Sequence, residues 1–136
     1  MNQTVVFVCL HGAAKSRMAA AFFNQKAPLG WRAVSAGVEP DLELSPTATR
    51  LMAGMDAAIH LDQEPPRSVD SLPPVGRVVG IDTEPVGATD HWELQHREFS
   101  MAMRDEIQAL TEALVVEVSH DLGGSGPPHE ARPASP

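Results

Sequence analysis

One cysteine, no tyrosine, four phenylalanines and two tryptophans are all the thiol and aromatic chemistry in 136 residues. A single thiol excludes an internal disulfide and fits a reducing, cytoplasmic setting. The scarcity of rings leaves Trp31, His91 and Trp92 as the obvious candidates to stack on an aromatic substrate. Basic residues are few as well: 10 Lys and Arg against 18 Asp and Glu give a formal net charge of −8. That balance argues against nucleic acid or an anionic membrane as partner. No apolar run approaches transmembrane length, and Met1–Asn2–Gln3 lacks the basic region of a signal peptide, so neither is expected. Hydrophobic residues still make up 43% of the chain, enough for one buried core in one domain.

The cysteine stands where a nucleophile would be useful. Thr4–Val5–Val6–Phe7–Val8 is a continuous apolar, β-branched run and reads as a buried strand. After Cys9 come Leu10–His11–Gly12–Ala13–Ala14–Lys15–Ser16 and then Arg17–Met18–Ala19–Ala20–Ala21–Phe22–Phe23, which is helical in composition. Strand, small-residue loop and helix start together form an anion cradle, because loop N–H groups and the helix dipole converge there. A thiol at the edge of such a cradle is favoured as its thiolate. Composition alone would make a lone cysteine a small buried hydrophobe; its position makes it an anion-facing thiol. Lys15–Ser16 is not a nucleotide-binding loop, since Ala14 occupies the glycine position before the lysine. His11 has no second histidine at metal-ligand spacing, so no metal and no cofactor is expected.

These residues resemble the low-molecular-weight protein tyrosine phosphatase family and its arsenate reductase branch. The family signature is Cys-x-x-x-x-x-Arg-Ser/Thr directly after the first strand, and the branch often reads close to Val-Cys-x-His-Asn-Ala-Gly-Arg-Ser-x-Met-Ala. Without gaps, this chain reads Val8-Cys9-Leu10-His11-Gly12-Ala13-Ala14-Lys15-Ser16-Arg17-Met18-Ala19. Ser35–Ala36–Gly37 matches the family's Ser-Ala-Gly after the second strand, and His91–Trp92–Glu93–Leu94 looks like the stretch before its acid loop. The resemblance implies a nucleophile at Cys9 and an oxyanion-binding loop of Leu10, His11, Gly12, Ala13 and Ala14, with Arg17 beside it. It implies a Ser16 hydroxyl that supports the thiolate, for which helix capping is the structural alternative. It also implies that Ser35 supports the loop from the second strand.

The chain departs from the family pattern in three places. Lys15 replaces the signature arginine, and a compact point charge replaces a planar bidentate fork. Arg17 would point roughly 200° away around the helix and is a poor substitute. Gly12 replaces the asparagine that shapes the loop, so the turn survives but loses side-chain stiffening. The Asp general acid has no counterpart, and no Asp-Pro occurs anywhere. General acid catalysis contributes about 10²–10⁴-fold. His96 lies nearest the expected position and could donate as imidazolium, with Asp90, Glu93 and Glu98 close in sequence. Each of these also reads as a solvated loop residue.

Element order predicts an α/β fold: a three-layer sandwich with a central, mostly parallel four-stranded sheet and helices on both faces. The expected elements are a strand over 4–9, a helix over 15–26, a strand over 31–35, a helix from the Ser45 cap and Pro46 to Met55, and a strand over 77–82. Val86–Thr89 is the candidate fourth strand, and a long amphipathic helix is expected from Glu98 to His120. Proline-rich 63–74 reads as a loop with one helical turn. The domain is expected over 1–122, followed by a disordered Gly/Pro/Ser-rich tail over 123–136. Cys9, Ser35 and Asp82 all fall at carboxyl ends of strands, where such sheets bind ligands. The leading function is weak cysteine-dependent phosphomonoester hydrolysis, phosphotyrosine among the substrates, through a phosphocysteine. The alternatives are a single-cysteine arsenate reductase relative using an external small thiol, and a retired oxyanion-binding or interaction module. Phosphate, arsenate or another oxyanion is the expected partner, and oligomeric state is unreadable.

Overall fold

Strand β1 (Gln3–Cys9) is buried on both faces from Val5 onward, which is why its apolar run is continuous rather than alternating. The computed structural model describes residues 3–72, 76–85 and 87–124. β1 is followed by helix α1 (Lys15–Lys26), β2 (Trp31–Gly37), α2 (Pro46–Leu51), β3 (Arg77–Ile81), β4 (Asp90–Trp92) and α3 (Met101–Gly124). Single 3₁₀ segments occupy Asp56–His60 and Val69–Ser71. The strands form one sheet in the order β2-β1-β3-β4, every pair parallel.

The larger core lies on the face toward which Val5, Phe7 and Cys9 point. Met18, Phe22 and Phe23 of α1 meet Met103, Ile107 and Leu114 of α3 there. α1 is buried almost all round from Ser16 to Phe23, so its alanines let it lie close against the strands. The second face, carrying Val6, Val8 and Ala36, is covered by Val69 and Leu72 around the 3₁₀ turn of the proline-rich segment. On the outer side of β2 the Asn24 amide bonds both main-chain groups of Ala33, accepting from its N–H at 2.8 Å and donating to its carbonyl at 3.0 Å.

Several boundaries differ from expectation for local reasons. α2 stops at Leu51 rather than Met55, because the chain turns through Gly54 at φ 84°. Its start is as expected: Pro46 opens the helix and the Ser45 hydroxyl accepts the Thr47 amide. The fourth strand is Asp90–Trp92, not Val86–Thr89; Val86 lies outside the described residues. α3 begins at Met101 because the Ser100 hydroxyl accepts the Met103 amide, and it runs on through Gly124. Gly123 and Gly124, expected in the tail, are therefore helical, and 125–136 lie outside the described residues. Among the described residues no helix is long and apolar enough to cross a membrane.

Candidate active site

β1 lies between β2 and β3, so the strand order reverses at its carboxyl end, which is where Cys9 stands. The Cys9 Sγ and the Ser16 Oγ are hydrogen-bonded at 3.2 Å, with the thiol 6% exposed and the serine fully buried. Ser16 therefore faces the sulfur instead of capping its helix; the residue at the cap of α1 is Ala14, with no side-chain cap bond. Cys9 opens onto a cleft of about 340 Å³. Leu10, His11, Ala13, Ala14 and Lys15 form one wall, Asp41, Ser45 and Thr47 another, and Phe99 a third.

The loop is shaped from behind by its own carbonyls. Those of Cys9, Leu10 and His11 accept the amides of Val38, Glu39 and Asp41 at 3.1, 2.7 and 3.1 Å. Gly12 then turns the chain at φ 67°, packed against Ala36 and Gly37. With the carbonyls drawn toward 38–41, no protein acceptor among the described residues takes the N–H groups of His11, Gly12, Ala13 or Ala14. His11, Ala13 and Ala14, three of the residues with a free amide, line the cleft together with Cys9 and with Lys15 of the first turn of α1, and groups of this kind suit an oxyanion.

Lys15 does not extend freely into this space. Its Nζ donates to Asp82 Oδ2 at 2.9 Å and lies 5.9 Å from the centroid of the Phe99 ring. Asp82, at φ 56° just past β3, also accepts the Leu94 amide at 2.9 Å and has Arg97 at 3.5 Å. Burial would push its carboxyl up, but the bonds from Lys15 and Leu94 and the charges of Lys15 and Arg97 outweigh it and hold it below the ordinary aspartate range.

Three expected site residues stand elsewhere. Arg17 is 1% exposed and donates to the carbonyls of Asp62, Ala13 and Ser45, so its fork ties three segments together rather than facing an anion. Burial, offset by the charge of Asp62, lowers its pKa. His96 is not on the cleft: its Nδ1 and its amide both bond Glu106 Oε1 at 2.9 Å, which fastens the 95–96 turn to α3. Burial pushes the Glu106 carboxyl up, but the bonds from Gln95 and His96 and the charge of His96 leave it below the ordinary glutamate range. Ser35 is buried with its carbonyl accepting Arg67 Nη1 at 2.9 Å, and the residues that touch the loop are Ala36 and Gly37. Neither tryptophan reaches the cleft, since Trp31 packs on Phe23 and Trp92 on Phe7. Asp41, Thr47 and Phe99 were not singled out by the sequence, because each arrives from a distant segment with no motif of its own.

An arsenate reductase from Archaeoglobus fulgidus is 30% identical and superposes with a TM-score of 0.66, over 82% of this chain and 98% of that one. The chain belongs to the low-molecular-weight protein tyrosine phosphatase and arsenate reductase family. Two more distant family structures share the fold. A low-molecular-weight protein tyrosine phosphatase from T. tengcongensis is 19% identical, TM-score 0.63, over 85% of this chain and 99% of that one. An arginine phosphatase from Geobacillus stearothermophilus is 17% identical, TM-score 0.66, over 94% and 100%. No protein-family model and no curated protein sequence matches the chain. At the positions where the sequence was expected to depart from the family pattern, Lys15 is held by Asp82, Gly12 makes the loop turn, and among the described residues none of 90–98 lines the cleft.

Proposed function

We propose that this protein hydrolyses phosphomonoesters through a phosphocysteine at Cys9. The observation that carries the reading is the hydrogen bond between buried Ser16 and Cys9, which lines a cleft with loop residues His11, Ala13 and Ala14 that have free amides. The thiolate attacks phosphorus as the ester oxygen leaves, and loop N–H groups with Lys15 hold the equatorial oxygens. Water then releases phosphate, and the Ser16 hydroxyl stabilises the departing thiolate. Half-exposed Phe99 and Leu10 flank the cleft, so an aryl ester such as phosphotyrosine fits its mouth better than a strongly hydrated one. Because Lys15 must share its charge with Asp82, turnover is slow. The test is hydrolysis of p-nitrophenyl phosphate by the native protein and by Cys9→Ser. Turnover that disappears in the variant is expected; equal rates end this reading, and phosphate binding without turnover favours a retired oxyanion-binding module.

A second reading is arsenate reduction with an external small thiol. The 30% identity to an arsenate reductase favours it, as does the one cysteine, which leaves no internal disulfide relay. Arsenate reduction assayed with different small thiols, alongside the phosphatase assay, separates the two.

A further inference from the structure

We propose that His11, positioned by Glu39 and Asp41, is the proton donor to the leaving group, in place of any residue of the 90–98 segment. The inference rests on the phosphatase reading and deepens it. His11 lines the same cleft as Cys9 and Lys15. Its Nδ1 lies 3.1 Å from the Glu39 carbonyl oxygen, and a carbonyl can only accept. The hydrogen is therefore on Nδ1, and Nε2 is the nitrogen left to exchange a proton. Asp41 Oδ1 stands 3.5 Å from the same Nδ1, a second acceptor on the side of the ring away from Nε2. The bonds Glu39 N–H to Leu10 O and Asp41 N–H to His11 O fix both partners against the loop. Both side chains are about half exposed (52% and 51%), so Asp41 adds a few-fold rather than orders of magnitude.

Glu93 and Glu98 do not line the cleft, and the other competing donors are committed elsewhere. His96 is bound to Glu106 off the cleft, Asp90 is paired with Arg77, and Asp82 is held ionised by Lys15. The titratable groups that share the cleft with His11 are Cys9 and Lys15 of its own loop and Asp41 of the facing segment, with Glu39 exposed beside it. In the first step the Cys9 sulfur forms the S–P bond, the P–O bond to the leaving group breaks, and its electron pair takes the proton from His11 Nε2. In the second, water attacks phosphorus and returns a proton to Nε2, and the S–P electron pair goes back to sulfur as thiolate.

The test compares phenyl phosphate, whose leaving group needs a proton, with p-nitrophenyl phosphate, whose leaving group hardly does. His11→Gln is expected to slow the first about 10²-fold and the second less than tenfold, and to remove the alkaline fall in kcat. Asp41→Asn is expected to slow phenyl phosphate a few-fold and p-nitrophenyl phosphate less. Equal slowing of both substrates, or an unchanged alkaline limb in His11→Gln, overturns the proposal. Turnover in Cys9→Ser equal to wild type instead sinks the phosphatase reading beneath it. A second measurement needs no turnover: the NMR titration of the His11 ring with and without inorganic phosphate. Phosphate is expected to move that titration to higher pH. Loop amides that respond while the ring does not overturn the proposal, and loop amides that do not respond sink the underlying reading.

Discussion

Gly12 and Gly37 meet backbone to backbone: a Cβ on Gly37 would stand 2.6 Å from the Gly12 nitrogen, and one on Gly12 would stand 2.7 Å from the Gly37 nitrogen. The loop after β1 is thereby pressed against the end of β2, and neither side has a flexible tip that could give way. Gly37→Ala is expected to cost about 1–3 kcal/mol of stability and to weaken inorganic phosphate binding more than Gly54→Ala does, since the cleft wall must shift. Urea unfolding and calorimetric phosphate titration of the two variants check this. Gly54 is the control because open space surrounds it, although its φ of 84° also makes alanine strained there.

Asp82 links the cationic side of the cleft to the 94–97 turn, and its carboxyl is held below the ordinary aspartate range in the folded protein. An acid whose pKa is lower folded than unfolded stabilises the fold above its unfolded value and loses that contribution as pH falls through the folded one. Unfolding free energy should therefore drop on acidification below about pH 4, and the drop should be shallower in Asp82→Asn. Urea unfolding of both proteins at pH steps from neutral downward gives the two slopes; parallel curves would contradict the assignment.

Arg17 satisfies three main-chain carbonyls from inside the core. Arg17→Met keeps the apolar stem and orphans those acceptors, at about 1–3 kcal/mol for each one that stays dry. A loss of at least 2 kcal/mol in unfolding free energy is expected, with Arg17→Lys recovering only part. A variant as stable as the wild type would mean that the guanidinium is not a structural tie.

Cys9 and the loop amides share one cleft, so an oxyanion bound there shields the sulfur. Iodoacetamide should alkylate the native protein at its single thiol, and inorganic phosphate should slow the reaction at constant ionic strength. Lys15→Ala should weaken that protection. Mass spectrometry of timed samples reads both rates; protection equal to that given by chloride would place the anion elsewhere.

The architecture was legible where composition and punctuation agree. The apolar run before Cys9, the helix stopped before Pro28, and Ser45–Pro46 each carry their own signal: β1 covers that run, α1 ends at Lys26, and α2 begins at Pro46. β4 carried none: Asp90–His91–Trp92 is a short edge strand with no apolar alternation, held in place by Arg77 and Asp90. The cysteine and its loop were readable as a contiguous motif, whereas the opposite walls are assembled from residues 41–47 and 99, which topology alone brings together. Arg17 had a readable signal of another kind. An arginine in the first turn of a helix, directly before the apolar run Met18–Phe23, is buried with that run and must bring partners with it.

The clasp of Asn24 on Ala33 bears on how this chain behaves in company. A parallel border strand offers its outward main-chain groups to any extended peptide that drifts past, and here that docking strip is interrupted at its midpoint by an amide that imitates a neighbour. Further along the same rim Arg67 takes the Ser35 carbonyl and the Gly37 amide, so the border is closed by two segments remote from one another in the chain.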